Sequence, residues 1–487
     1  MEPCAVLLDE EITMNRRYCL VLALLLTTSA ALAASKPAPF RWDWNDVPAS
    51  LQRLQASKDP AARRIRAQIL NGHASLAKER KIARAWGLPL TTAEWPVRPP
   101  ASGEDARPLY DRARALEEKD GLEWSEQADE FLAQAQQGKA LAPADLEALR
   151  ADIAKYRQVL NLVHQGAAKP YLSLPAPKSM LLGGIPFGAD MSRQREVLKY
   201  LDTEAQVLAL DGRFTEAARI LALGYNVARQ TYREPTLIPY LVGTTIESMA
   251  HSGLEFILHQ AGPDEKVARV VLAALEQAPG GPLLPWAFRG EAWYNADLFQ
   301  LARQSGPYAF TANLVEAPPS KRPRQLTASE RVLYYGLVDA MEADALRRLR
   351  GLIVAAGKPY GEGNTDMDRL VPNALDPQDP VSAWAVFSLQ TMSQVGANEA
   401  RRLARQQVLR AGASVLAYRD RTGSWPDRLD DALVPPTDPF TGRPMGYRVE
   451  GDGFVVWSAG ETQAFDGGTP GPKPRCETLF RFPRCPA

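Results

Sequence analysis

The sequence predicts a mainly α-helical protein, built in part of α/α hairpins, that ends in a small α+β module. Three observations predict it. Apolar residues recur at three- and four-residue spacing through most of the chain up to Tyr418, the period of helices with one buried face. The 39 prolines cluster between these stretches, so helices alternate with stiff, extended connectors. From Arg419 onward, glycine and proline instead punctuate short β-favouring runs.

At 487 residues the chain is too long for one compact core, and two or three domains are expected. Apolar residues make up 45% and charged residues 23%, the balance of a soluble globular protein. Basic and acidic residues cancel at 57 each, which leaves no global field to attract nucleic acid or an acidic membrane. The basic residues are scattered and read as solvated helix faces.

The N-terminus carries an export pattern. After Met14 come Asn15-Arg16-Arg17, an apolar run over 18–26, and small residues ending in Ala31-Leu32-Ala33. These are the basic, apolar and cleavage regions of a signal peptide, with cleavage between Ala33 and Ala34. Glu2, Asp9, Glu10 and Glu11 carry the wrong charge for such a leader, so Met14 is a better start than Met1. The apolar run is short for a membrane span, and no transmembrane anchor is expected in the mature chain. A periplasmic or secreted location follows. There the only mature cysteines, Cys476 and Cys485, are expected to form a disulfide.

Element by element, 34–100 reads as short helical pieces such as 50–70, with Trp42, Trp44, Trp86 and Trp95 pinning the connectors. Two or three amphipathic helices fill 109–165, broken at Gly138 and Pro143, before a Pro/Gly-rich connector at 169–188. Val197, Leu198, Leu201, Ala205 and Leu208 then mark one helix face. The turn Asp211-Gly212-Arg213-Phe214 ends that helix, and 215–232 forms another. This pair resembles a tetratricopeptide hairpin, with Ala217 and Ala218 allowing close approach. No second copy at the repeat spacing makes it an array. Helices continue at 237–259, 264–277 and 285–303, and a basic, Pro-rich connector covers 317–324. Thr327-Ala328-Ser329-Glu330 has the form of a capping box opening a helix to about Val354. A loop is expected at 357–380, then helix again from Val381 to Tyr418.

The last hundred residues carry Gly423-Ser424-Trp425-Pro426, Asp438-Pro439-Phe440-Thr441-Gly442-Arg443-Pro444, Tyr447, and a strand ending in Ser458-Ala459-Gly460. This stretch resembles the soluble domain of the major pseudopilins of type II secretion. The resemblance implies a helix packed on a small antiparallel sheet, and a calcium ion in the last loop. The matching carboxylates here are Asp452, Glu461 and Asp466, which is few for Ca²⁺. The preceding helix is rich in arginine and joined to a large body, so the chain cannot assemble as a pseudopilin does. The chain as a whole resembles a family of exported bacterial α-helical proteins to which no activity is assigned. That likeness runs through Gly103-Glu104-Asp105-Ala106-Arg107-Pro108-Leu109-Tyr110, the hairpin, and Glu234-Pro235-Thr236-Leu237-Ile238. The expected organisation is a signal peptide at 1–33, a helical domain at 34–380, a pseudopilin-like helix and sheet at 381–475, and a disulfide-closed tail at 476–487.

Few patterns carry chemistry. Glu247, His251, Glu255 and His259 stand four apart on one helix and could hold a metal, yet they run beside the apolar stripe and read as solvated flank. Trp286, Trp293 and Tyr294, with Phe288 and Phe299, crowd another helix as core or as a groove for a peptide or glycan. Ser75-Leu76-Ala77-Lys78 matches one motif of penicillin-interacting enzymes without its companions. No residue earns a catalytic assignment. The expectation is a non-catalytic envelope protein that presents a helical surface to a protein or peptide partner. The alternative is an exported hydrolase of cell-wall or peptide substrates, which requires a pocket gathering two or more carboxylates.

Overall fold

The computed structural model describes residues 40–98, 100–101, 103–122, 126–136, 139, 141–174, 188–315, 325–464, 467 and 478–483. Helices α1 (Val47–Ala56), α2 (Pro60–Leu70) and α3 (Gly72–Ala85) open the chain. They precede α4 (Arg107–Asp120), α5 (Glu126–Gln136), α6 (Pro143–Lys155) and α7 (Arg157–Ala167). The hairpin is α8 (Gly188–Leu210) with α9 (Phe214–Thr231), extended by α10 (Leu237–Ala261), α11 (Glu265–Gln277) and α12 (Leu284–Val315). Then come α13 (Ala328–Ala356), α14 (Tyr360–Leu370), α15 (Ala383–Ser388) and α16 (Gln390–Thr422). Strands β1 (Gly446–Glu450), β2 (Gly453–Trp457) and β3 (Leu479–Phe482) close the chain as an antiparallel sheet in the order β1-β2-β3. The protein is therefore mainly α with a small C-terminal α+β module.

Local chemistry explains most boundaries. Thr327 and Glu330 form the expected reciprocal capping box at the start of α13. Ala217 and Ala218 are fully buried where α9 meets its neighbours. Three expectations about helices need correction. The piece at 50–70 is two helices, because Asp59 accepts the Ala61 amide at 2.8 Å and Pro60 begins α2. The stretch 109–165 falls within four helices rather than two or three. The expected loop at 357–380 contains α14, despite glycines at 361 and 363 that disfavour helix. Tertiary contact outweighs propensity there: Met367 is buried, and Lys358 bridges Glu362 and Asp366 at 2.8 and 2.6 Å.

Two large cores and a small third one, Phe131, Leu132 and Leu149 against Val207, organise the described residues. One joins Trp42, α1 and α2 to Phe299, α13 and Trp384. The larger runs from α3 and α4 through the hairpin and α10–α12 to α16 and the sheet. Helix α16 lies wholly in the larger core and links the helical body to the sheet there. Val408, Ala411, Val415 and Leu416 lie in the same core as Phe454 and Val456 of β2 and Phe480 of β3. β3 arises from the stretch expected to be a tail. The turn motifs now have a physical role. Buried Asp438 accepts from the Phe440 amide (3.2 Å), Thr441 Oγ1 (2.9 Å), Ser458 Oγ (2.8 Å) and the Ala459 amide (3.2 Å). That carboxylate pins the Asp-Pro turn to the end of β2. Trp425 and Tyr447 flank Phe454 at 5.2 and 6.2 Å, and the Tyr447 hydroxyl donates to the Pro426 carbonyl at 2.8 Å.

Candidate functional site, an aromatic crossing with desolvated carboxyls

The turn between α9 and α10, residues 232–236, crosses over α12 and gathers the aromatic residues singled out in the sequence. Backbone bonds lock the crossing. The Gly290 amide donates to the Pro235 carbonyl at 2.6 Å, Trp286 Nε1 donates to the Arg233 carbonyl at 3.1 Å, and the Leu237 amide donates to Glu291 Oε1 at 2.9 Å. A side chain at position 290 would put its Cβ 2.4 Å from the Pro235 oxygen, so only glycine permits this approach. Trp95 meets Trp293 edge-on at 5.7 Å and donates through Nε1 to Glu234 Oε2 at 3.3 Å. The Arg233 guanidinium lies 3.8 Å above the Tyr171 ring.

The phrase at 103–110 reaches this crossing indirectly, through Tyr171 and Gln230. The Ala106 amide donates to the Tyr171 carbonyl at 2.8 Å, and the Tyr110 hydroxyl donates to Gln230 Oε1 at 3.1 Å. Gln230 in turn donates to the carbonyls of Gly166 and Lys169. The sequence placed Trp286, Trp293 and Tyr294 together, but Trp293 is core while Trp286 and Tyr294 remain partly open. Glu291 lies on the same helix as the aromatics, but Tyr171, Arg233, Glu234 and Trp95 were not legible with them, because they come from segments far apart in the chain.

Burial pushes the Glu234 carboxyl up to about 7, against the smaller lowering effects of the Trp95 hydrogen bond and the Arg233 charge. Glu291, partly exposed as a residue, has a desolvated carboxyl raised to about 7, opposed by the Leu237 amide. Burial first, then the charge of Glu291, raises the Tyr294 phenol. A carboxyl titrating near neutrality can exchange a proton at physiological pH. Glu234, however, is only 4% exposed. In this arrangement it holds Trp95 and does not face a substrate.

No family model, curated protein or solved structure matches the chain. Its functional reading therefore rests on geometry.

The Glu/His ladder corrects the expectation of a solvated flank. Glu247 and His251 are buried, and the side chain of His259 is largely covered. Glu247 accepts from the Tyr232 hydroxyl (2.8 Å) and Gln406 Nε2 (2.5 Å), and it faces Arg402 Nη1 at 3.4 Å. His251 Nδ1 donates to the Glu247 carbonyl at 2.6 Å, and burial lowers its pKa to about 4. His259 stacks on Phe480 at 4.9 Å, against β3. These residues join α10 to α16 and the sheet, and no group of three metal-binding side chains forms among the described residues.

A second feature is a cleft of about 190 Å³ between α3, α13 and residues 379–382, with Ser75, Asp344, Arg347 and Asp379 in its wall. It brings two carboxylates together, but Asp344 Oδ1 and Oδ2 are already held by Arg347 (3.1 Å) and Arg348 (2.5 Å). Of the calcium candidates, Glu461 is paired with Arg401 at 2.5 Å, Asp452 sits in the β1–β2 turn, and Asp466 lies outside the described residues.

Proposed function

We propose that the helical body presents a binding surface to an envelope protein or peptide, centred on the 232–238 crossing, with the pseudopilin-like module as a docking unit. The observation that carries this reading is a rigid backbone crossing bordered by open apolar side chains: Trp86 is 40% and Ile238 44% exposed, beside partly open Trp286 and Tyr294. Trp86 is fixed in place by Arg289, which donates to its carbonyl at 3.0 Å. Rigid aromatic residues give large contact area at low entropic cost and are typical binding hot spots. The hydrolase alternative has less support, since Glu234 is enclosed and both Asp344 oxygens are occupied by arginine.

A pull-down from bacterial envelope extract, followed by titration of the captured partner, tests the reading. Trp86→Ala and Ile238→Asp lie on the surface and are expected to leave folding intact. Together they should weaken binding by about thirtyfold or more, the 2 kcal/mol of a hot spot. Turnover of a cell-wall or peptide substrate that Glu234→Gln abolishes would favour the hydrolase instead.

Export is the second part of the proposal, and it rests on the sequence: residues 1–39, Cys476 and Cys485 lie outside the described residues. Among the described residues no helix is long and apolar enough to cross a membrane. Intact mass of the protein recovered from the envelope should correspond to a chain starting at Ala34, with Cys476 and Cys485 resistant to alkylation until reduced. Reduction should then cost about 2.5–3 kcal/mol by loop entropy. A product starting at Met1 or Met14, or two free thiols, would contradict it.

A further inference from the structure

We infer that the cleft between α3, α13 and residues 379–382 is a binding site for a small zwitterion, an α-amino acid with a short side chain. Its volume of about 190 Å³ falls below the ~300–1,000 Å³ of sites for drug-sized ligands. An oligosaccharide or a long peptide does not fit, whereas a molecule of a few heavy atoms does.

The wall carries both signs of charge. The Asp379 carboxylate accepts the Ser382 amide at 3.4 Å, and no ion pair of Asp379 is found among the described residues. Arg347 stands at the rim with its side chain 55% exposed, one Nη on Asp344 at 3.1 Å and Nε 3.5 Å from Glu79. Asp344 is spoken for by Arg347 and Arg348, so it positions the guanidinium and leaves ligand binding to others. Burial raises the Asp344 carboxyl above its usual range, and the Asp379 charge adds to the rise, so the two carboxylates share one field. Ser75, whose hydroxyl accepts from Asn71 Nδ2 at 3.3 Å, also lines the cleft.

This division selects against single charges. A lone amine pairs with Asp379 but meets Arg347, and a lone carboxylate meets Asp379. A molecule with an ammonium and a carboxylate on one carbon pairs with both, leaving Ser75 and the apolar lining residues Ala340, Ala343 and Val381 for a short side chain. Ser75 belongs to the Ser75-Leu76-Ala77-Lys78 match, and in this site its hydroxyl serves as a hydrogen-bond partner. Lys78 is exposed and is not part of the cleft wall.

The test is calorimetric titration and ligand-observed NMR on the full exported chain with L-alanine and D-alanine, and with ethylamine and propionate as single-charge probes. Alanine of at least one hand should bind saturably in the millimolar range, with ethylamine and propionate each about tenfold weaker or more. Asp379→Asn should weaken alanine by a similar factor. Because Asp379 also caps the turn it begins, Arg347→Gln on the exposed rim provides a second variant, with the thermal midpoint measured alongside. Alanine binding that survives both substitutions places the ligand elsewhere and overturns the proposal. Equal binding of ethylamine and alanine makes the cleft a cation site and also overturns it, as does the absence of saturable binding by any probe.

Discussion

Replacing Arg402 by methionine is expected to lower the unfolding free energy by about 3–5 kcal/mol, the cost of leaving a buried charge without its partner. The Arg402 side chain is 1% exposed and that of Glu247 is 0% exposed. Besides Glu247, its Nη atoms reach Glu399 Oε1 at 2.7 Å and the carbonyls of Pro279 and Gly281 at 2.8 and 2.6 Å. One guanidinium therefore ties α16 to α10 and to the turn before α12. Its loss strands Glu247 and Glu399 in the interior and frees the Gly281 carbonyl, while the Pro279 carbonyl keeps Gln406 Nε2 at 3.0 Å. Urea denaturation followed by circular dichroism measures the effect. A triple variant that also carries Glu247→Gln and Glu399→Gln should recover much of the loss, since it removes the stranded charges. A loss below about 1 kcal/mol for Arg402→Met would indicate that water reaches the network.

Stability is expected to fall as pH rises from 5 to 8, with Glu234 as a main contributor. In the unfolded chain Glu234, Glu291 and Asp202 titrate near ordinary carboxylate values, whereas burial raises each to about 7 in the folded protein. Between those values the folded state keeps protons that the unfolded state has lost, so folding weakens as pH climbs through the interval. His251 acts in the opposite direction. Its folded value of about 4 costs stability as pH drops below the ordinary histidine range. Three carboxyls against one imidazole leave a net decline toward pH 8. Carboxylates held low by hydrogen bonds and cations, such as Asp105 and Asp366, titrate below this window. Glu234→Gln keeps an acceptor for Trp95 and removes the titration. It should add about 2 kcal/mol at pH 8, a conservative share of its shift at 1.36 kcal/mol per pH unit, and change little at pH 5. Chemical denaturation of both proteins at the two pH values decides it, and parallel pH profiles would refute the assignment.

Much of the site was legible only in fragments. Trp286, Trp293 and Tyr294 stood out because aromatics two helical turns apart are visible in a window of nine residues. Their partners Tyr171, Arg233 and Trp95 were not, because the Gly290–Pro235 backbone contact that gathers them joins positions more than fifty residues apart. The Glu247 ladder shows the same limit from the other side. Spacing located its face correctly beside the apolar stripe, but burial of that face depends on α16, over 150 residues later. The only hint was the arginine-rich character of α16, which read as solvated.

Most helix positions, the capping box at Thr327, the Ala217–Ala218 hairpin and the change to a small sheet after Arg419 followed from residue order alone. Each depends on neighbours within one or two turns, where backbone propensity and spacing act directly. Packing decided the rest. It made a helix of 360–370 against the preference of its glycines, and it turned the expected tail into β3. It also chose which charges lie inside. Periodicity along one helix reports a single buried face, and whether a second face is covered depends on which distant helix docks there and whether that helix supplies the opposite charge.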